Sequence, residues 1–127
     1  MSNIFIARTE TSPEVNFNFA EHQLSLIGEA YPENANEFFH PLLQGLEHYL
    51  NSMNDTRIEF NFHLTYFNSA ATKMIYHMIE LLNDAAFAGN QVILNWHHDE
   101  EDDTSLEFGE GIQNDYKALD FRAVVMA

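Results

Sequence analysis

The sequence predicts one α/β domain over residues 1–127, a mixed β-sheet with its helices mainly on one face. Three patterns carry that prediction. Within residues 56–67, Ile58, Phe60, Phe62, Leu64 and Tyr66 fall on one side of a strand, and Glu59, Asn61, His63 and Thr65 on the other. Such alternation marks one dry face and one wetter face. Two flanking segments repeat apolar residues at three- and four-residue steps, the spacing of an amphipathic helix. Strand and helix then alternate towards the C-terminus, and strand–helix–strand crossovers require parallel neighbours joined in the right-handed sense. Because the long strand has a polar second face, the helices are expected to cover only the other.

Short extended segments at 4–7, 15–19 and 23–29 come first, the first two separated by Pro13 and the next two by a tight connection at Ala20-Glu21-His22. They are expected to form an antiparallel meander at one edge. Tyr31-Pro32-Glu33-Asn34 then punctuates the chain before a helix whose stripe is Phe38, Phe39, Leu42, Leu43, Leu46, Tyr49 and Leu50. Pro41 lies inside that run and cannot donate to the carbonyl four residues back, so a kink is expected, or a regular helix starting near Pro41. Gly45 weakens it further. After the long strand, Met74, Ile75, Met78, Leu81, Leu82 and Ala85 form the inward side of a second helix, ended by Gly89-Asn90 in the manner of a glycine cap. Residues 91–96 read as a buried strand. The acidic run 99–103 suits the start of a third helix near Thr104, because carboxylates are favoured at a helix N-terminus. That helix is the weakest prediction, since Gly109 and Gly111 interrupt it; Leu106, Phe108, Ile112 and Tyr116 would give it an apolar side. Residues 121–126 close the sheet.

Composition narrows the function. Twenty acidic residues against five basic ones give a net charge of −15. Such a surface repels nucleic acid and anionic lipid, and no Lys/Arg patch compensates, so neither is an expected partner. Basic protein surfaces are. With no cysteine, disulfides and thiolate chemistry are excluded. The N-terminal segment lacks the pattern of a signal peptide, and no apolar run approaches the length of a membrane span, which points to a cytoplasmic protein. There is no G-x-S-x-G elbow, phosphate-cradling glycine loop or H-E-x-x-H helix, so no catalytic residue and no cofactor is assigned.

The most informative segment is L-T-Y-F-N-S-A-A-T, residues 64–72, where a strand runs directly into a helix and leaves Ser69 at the junction. A serine there can be an ordinary N-cap, worth about 1 kcal/mol. The same place favours a phosphate, because free N–H groups and the positive helix end both attract negative charge. Together with G-E-A-Y-P-E-N-A (28–35) and V-I-L-N-W-H-H (92–98), this junction resembles the SiaC-type regulatory phosphoproteins, single bacterial domains with a STAS-like, anti-sigma-factor-antagonist-like fold. The resemblance spans nearly the whole chain. It implies a non-catalytic protein whose unphosphorylated form binds and activates a diguanylate cyclase in cyclic di-GMP signalling and biofilm control. It also implies a serine/threonine kinase of the anti-sigma-factor type, which ends that binding, and a PP2C-type phosphatase, which restores it. The matching hydroxyl is Ser69, where threonine is the better-known occupant. Asn68, Thr72 and Lys73 would flank it, and Thr72 is the nearest competing hydroxyl. Only Lys73 is a basic neighbour in sequence, so phosphate is expected to spoil a contact surface rather than trigger a new fold.

Tyr31, Pro32, Glu33 and Asn34 are candidates for the same binding surface, or simply a loop with Asn34 or Asn36 as helix cap. Phe67 is either an exposed aromatic anchor or is covered by an adjoining helix. An antagonist that sequesters an anti-sigma-factor kinase is the alternative within this fold. A small metal-dependent enzyme built on His97, His98 and the acidic run is a third reading. It is disfavoured because adjacent histidines on an extended chain point to opposite sides, and no metal site is assigned. His40, His48 and His77 are expected at the helix surface, and His63 has no partner identifiable from sequence.

Overall fold

The computed structural model describes residues 2–126. Its strands are β1 (Ile4–Ile6), β2 (Glu14–Asn18), β3 (Gln23–Ala30), β4 (Arg57–Phe67), β5 (Gln91–Asp99) and β6 (Asp120–Met126), and its helices α1 (Ala35–Asn51), α2 (Ser69–Phe87) and α3 (Asp103–Asp115). The six strands lie side by side in chain order. β1, β2 and β3 form the expected antiparallel meander, with a 3-10 turn over Phe19–Glu21 between the last two. β3, β4, β5 and β6 are all parallel, each pair joined through one helix. Right-handed crossovers that always step the same way along a sheet put every helix on the same face. The mixed α/β sheet with a single helical layer is therefore as predicted.

One core lies between the layers, and it includes Ile58, Phe60, Phe62 and Leu64 of β4, Leu42 and Leu46 of α1, and Ile75, Met78 and Leu82 of α2. The opposite face of β4 is polar, and its side chains bond to their neighbours across the sheet. The Asn95 amide donates to Glu59 Oε1 (2.7 Å) and Asn61 Oδ1 (3.1 Å), and His97 Nε2 lies 3.1 Å from Asn61 Oδ1.

Four local outcomes differ from the sequence reading or sharpen it. α1 runs unbroken from Ala35 to Asn51 with Pro41 inside it, so its regular part does not begin at the proline. Pro41 is solvent-exposed, and the carbonyl it leaves without an intrahelical donor belongs to the exposed Glu37. Second, the alternation of β4 breaks at its end. Gly28 pairs with Leu64 but Glu29 pairs with Tyr66, which leaves Thr65 as an extra residue in β4. A bulge of this kind reverses which face the following side chains occupy. Tyr66, expected on the dry face, is therefore 53% exposed, and Phe67 turns towards the core. Third, Gly89 (φ +109°) closes α2 in a Schellman arrangement, with Asn90 N bonded to the Ala85 carbonyl and Gly89 N to that of Ala86.

The fourth concerns Gly109, which interrupts the pattern of α3 for a packing reason. A Cβ there would stand 2.8 Å from Trp96 Cδ1 and 3.2 Å from Phe121 Cζ. The glycine lets α3 press onto Trp96, whose indole N–H donates to the Ser105 carbonyl (2.9 Å) and hydroxyl (3.2 Å). A Cβ at Gly111 would meet nothing within 4 Å.

Candidate phosphoacceptor site

Parallel β3, β4 and β5 all end at the same edge of the sheet, where α1, α2 and α3 begin. This edge is the general location of sites in sheets of this type. It gathers three segments picked out separately in the sequence: 31–34 after β3, 67–73 after β4, and 99–103 after β5.

At the β4–α2 junction the cap is Asn68, not Ser69. The Asn68 side chain has extended backbone geometry and accepts from Ala71 N at 2.9 Å, and its backbone N donates to the Ala30 carbonyl at 3.2 Å. The backbone of Asn68 is extended (φ −88°, ψ 178°) and the helix begins at the next residue, with Ala71, Ile75, Met78, Ile79, Leu82 and Ala85 as its buried residues. Ser69 is the first helical residue, exposed, and its hydroxyl makes no hydrogen bond among the described residues. Released from capping, it points a free nucleophilic oxygen to solvent beside the positive end of a 19-residue helix.

Thr72 differs. It is half-buried, and its hydroxyl donates to the Asn68 carbonyl at 2.9 Å. Lys73 is exposed one turn beyond Ser69 on the same side of the helix, the i, i+4 relation in which side chains meet. It has no carboxylate within 4.0 Å among the described residues; the ion pairs found are Arg57–Glu59 and Arg122–Asp120.

The 31–34 segment divides. Tyr31 turns to the bulge, its ring 5.5 Å from that of Tyr66 at 72°. Pro32 is half-buried. Asn34 caps α1 by accepting from Glu37 N at 3.0 Å, and its amide donates back to Glu37 Oε2 at 3.3 Å. Glu33, Asn34 and Glu37 border an open groove of about 1020 Å³ that Ala70, Lys73 and Met74 border from the side of α2. Phe67 takes no part in that groove. It packs edge-on against Trp96 (6.2 Å) and Phe108 (5.0 Å), so α3 and β5 cover it and the exposed-anchor reading does not hold.

The histidines separate as strand geometry requires. His98 is buried on the helical side, with Nδ1 3.0 Å from the Asp99 carbonyl. His97 lies on the polar face, stacked on His63 at 5.3 Å and 13°. Burial lowers its pKa from the ordinary histidine value, and the neighbouring His63 lowers it further. In the acidic run, Asp102 caps α3 by accepting from Ser105 N (3.0 Å), and Asp99 Oδ1 accepts from Glu101 N (2.9 Å). Among the described residues no three His, Asp or Glu side chains are grouped to hold a metal ion. No helix there is long and apolar enough to cross a membrane.

The sequence reading missed the lining of the groove. Ile6, Phe38 and Met74 come from three elements that meet only in the fold, and the helical stripes that contain Phe38 and Met74 do not show that the two share a groove. The bulge at Thr65 was equally silent, because residue types alone do not mark an inserted strand residue. The sequence reading took Ser69 as the capping residue; asparagine and serine are equally good caps, and only the backbone geometry at Asn68 distinguishes them.

A profile of the SiaC family of regulatory phosphoproteins matches residues 6–126. The chain belongs to the SiaC family. SiaC of Pseudomonas aeruginosa has the same fold, with a TM-score of 0.84 at 28% identity, over 100% of this chain and 99% of that one. A chain in the crystal structure of diguanylate cyclase SiaD in complex with its activator SiaC, from the same species, matches with a TM-score of 0.89. It is 26% identical and covers 97% of this chain and 99% of its own. An uncharacterized protein of P. aeruginosa strain UCBPP-PA14 is 29% identical over 115 residues, which is 91% of this chain and 90% of that protein. Membership places this chain among regulatory phosphoproteins, as the sequence resemblance implied.

Proposed function

We propose that this protein is a non-catalytic switch that binds and activates a diguanylate cyclase while Ser69 is unmodified, and releases it once Ser69 is phosphorylated. The observation that carries the reading is the junction itself. Ser69 is the exposed, uncommitted hydroxyl, whereas Asn68 does the capping and the Thr72 hydroxyl is spent on a backbone carbonyl. The relative SiaC, described as the activator of the cyclase SiaD, supplies the class of partner. A serine/threonine kinase of the anti-sigma-factor type adds the phosphate and a PP2C-type phosphatase removes it. Since ATP and GTP feed the kinase and the cyclase, the switch operates in the cytoplasm.

Phosphate adds about −1.5 to −2 charges at neutral pH. At the first residue of α2 this charge suits the helix end, so the fold is retained. The damage falls on the partner. A dianion now stands at an edge already bearing Glu33, Glu37, Glu100, Glu101 and Asp103, all exposed. A partner surface shaped against neutral Ser69 must desolvate or avoid it. In sequence Lys73 is the only basic neighbour of Ser69, and no arginine cluster adjoins it in the chain to build a new arrangement around the phosphate.

The test is to reconstitute the protein with the full-length cyclase from the same organism and measure cyclic di-GMP production. The unmodified protein and Ser69→Ala should both stimulate synthesis, and the stoichiometrically phosphorylated protein should not. Equal stimulation by the phosphorylated form would overturn the switch.

A further inference from the structure

We propose that the outer edge of β6 pairs with the same edge of a second copy of this chain, antiparallel about a two-fold axis through Ala123, so that two six-stranded sheets become one. The pairing is independent of whether Ser69 is a switch.

The two edges of the sheet are β1 and β6, and they are finished differently. An edge strand presents unpaired N–H and C=O groups, and proteins blunt such edges with short strands, proline, lysine or bulges. β1 has three residues and offers little to pair with. β6 runs for seven, D-F-R-A-V-V-M, in unbroken register with β5 and with no proline or lysine. Its side chains are also left open on the helical side. There Phe121, Ala123 and Val125 align with Leu94, Trp96 and His98 of β5, yet Ala123 is exposed and Val125 is 57% exposed. α3 meets β6 at Phe121, beside Gly109, and leaves the rest of that row uncovered.

Charge selects the occupant. β6 and the turn before it, residues 116–126, carry Lys117 and Arg122 against Asp120 alone, in a chain whose net charge is −15. Arg122 and Asp120 neutralise each other in a 2.9 Å ion pair on the polar face. A basic partner is drawn to the acidic surface elsewhere, whereas this edge is where two acidic chains meet with least repulsion. Shape agrees. With Ala123 on the axis, Asp120 stands opposite Met126, Phe121 opposite Val125 and Arg122 opposite Val124, so the whole strand is paired. Direct opposition on antiparallel strands puts facing residues on one side, which keeps both helical layers on the same face. An axis through Arg122 would instead set like charges against each other. Each exposed Val125 meets Phe121 of the other copy, beside a depression of about 490 Å³ lined by Gln113, Asn114, Lys117 and Leu119. Two-fold symmetry makes that contact twice. Because β6 is parallel to β4, the pairing turns the two Ser69 edges away from one another and leaves both open.

Sedimentation equilibrium of the full-length protein tests the association, and introduced cysteines test the register. The wild type should form a dimer that tightens as salt rises from about 50 to about 500 mM, because screening removes repulsion between two acidic chains. Ala123→Glu sets two carboxylates opposite each other and should raise the dimer dissociation constant about tenfold or more, and mixing it with Ala123→Lys should restore the dimer. Phe5→Glu alters an exposed residue of the other edge and should associate like wild type. The chain has no cysteine, so a single thiol reports its own position. Opposed antiparallel residues have Cα atoms about 4.5–5.5 Å apart, within disulfide reach, so Ala123→Cys should cross-link on oxidation. Val125→Cys, which faces Phe121 instead of its own copy, should not. A wild type that stays monomeric at millimolar concentration in both salts overturns the proposal, as does a dimer that weakens when salt rises. So does an Ala123→Glu variant, folded by circular dichroism, that associates like wild type, or failure of the mixed charges to restore pairing. Equal cross-linking of the two cysteine variants, or loss of the dimer in Phe5→Glu, overturns the β6 edge.

Discussion

Replacing Asn68 by alanine should destabilise the protein while replacing Ser69 by alanine should not, and the contrast decides which residue carries the helix. Asn68 Oδ1 accepts from Ala71 N at 2.9 Å in half-buried surroundings, so its removal leaves an amide donor without its partner. Loss of an N-cap of this type costs about 1 kcal/mol, within a range of roughly 0.5–2. For a domain of 127 residues that corresponds to a fall in Tm of about 3–5 °C. Ser69 is exposed and makes no side-chain bond among the described residues, so Ser69→Ala should stay within about 0.5 kcal/mol of wild type. Asn68→Ser keeps an acceptor at the cap and should recover most of the loss. Urea unfolding with a common m-value, supported by thermal melts, measures all three. If Ser69→Ala melts as early as Asn68→Ala, the hydroxyl is a structural cap and the argument for its availability to a kinase fails.

The remaining expectations concern packing, titration and the modified protein. Gly109→Ala sets a methyl 2.8 Å from a tryptophan that is 1% exposed, and overpacking of this kind typically costs about 1–3 kcal/mol, more than alanine's helix propensity returns. Gly111→Ala, with open space at its Cβ, should instead stabilise by about 0.5–1 kcal/mol, and paired denaturation curves compare the two. The lowered pKa of His97 means that the unfolded chain takes up a proton there more readily than the folded one. Its contribution is therefore complete above the ordinary histidine pKa of about 6.5 and is lost as pH falls through the lower folded value. Urea midpoints between pH 5 and 7.5 should show that loss reduced in His97→Gln. Burial of Tyr49 pushes its pKa up to about 12. Ultraviolet titration should show a tyrosine component ionising near pH 12 that is absent in Tyr49→Phe.

Most of the fold was legible because its signals are periodic and local. The β4 alternation, the stripes of α1 and α2 and the acidic start of α3 each specify an element without reference to any other. What failed was set by tertiary detail. Pro41 suggests a late helix start from its missing bond alone, yet α1 runs through it because the carbonyl it leaves free lies on the exposed side. Gly109 weakens α3 as an isolated helix yet permits its contact with Trp96, which no window of sequence contains. The site was legible in part for the same reason. Ser69, Thr72 and Lys73 lie within five residues and share α2, whereas the groove joins residues of β1, α1 and α2 that only the fold brings together.

On the proposed reading, that order lets a phosphate on Ser69 act on binding without disturbing the protein. The core is sealed by side chains along the middle of the strands and the inward stripes of the helices, with Ile58, Phe60, Phe62, Ile75, Met78 and Leu82 all at most 1% exposed. The strand ends contribute caps and loops, and at the β4–α2 junction the stabilising bond belongs to Asn68. Ser69 can therefore change from neutral to dianionic with little effect on folding free energy. The consequence is felt only where another surface must approach. If the cap had been Ser69, phosphorylation would have altered the helix start and the contact surface together, and stability would have been coupled to signalling. The one-residue offset between the cap and the proposed acceptor separates the two, which is why Asn68 variants should shift the melting curve and Ser69 variants should leave it in place.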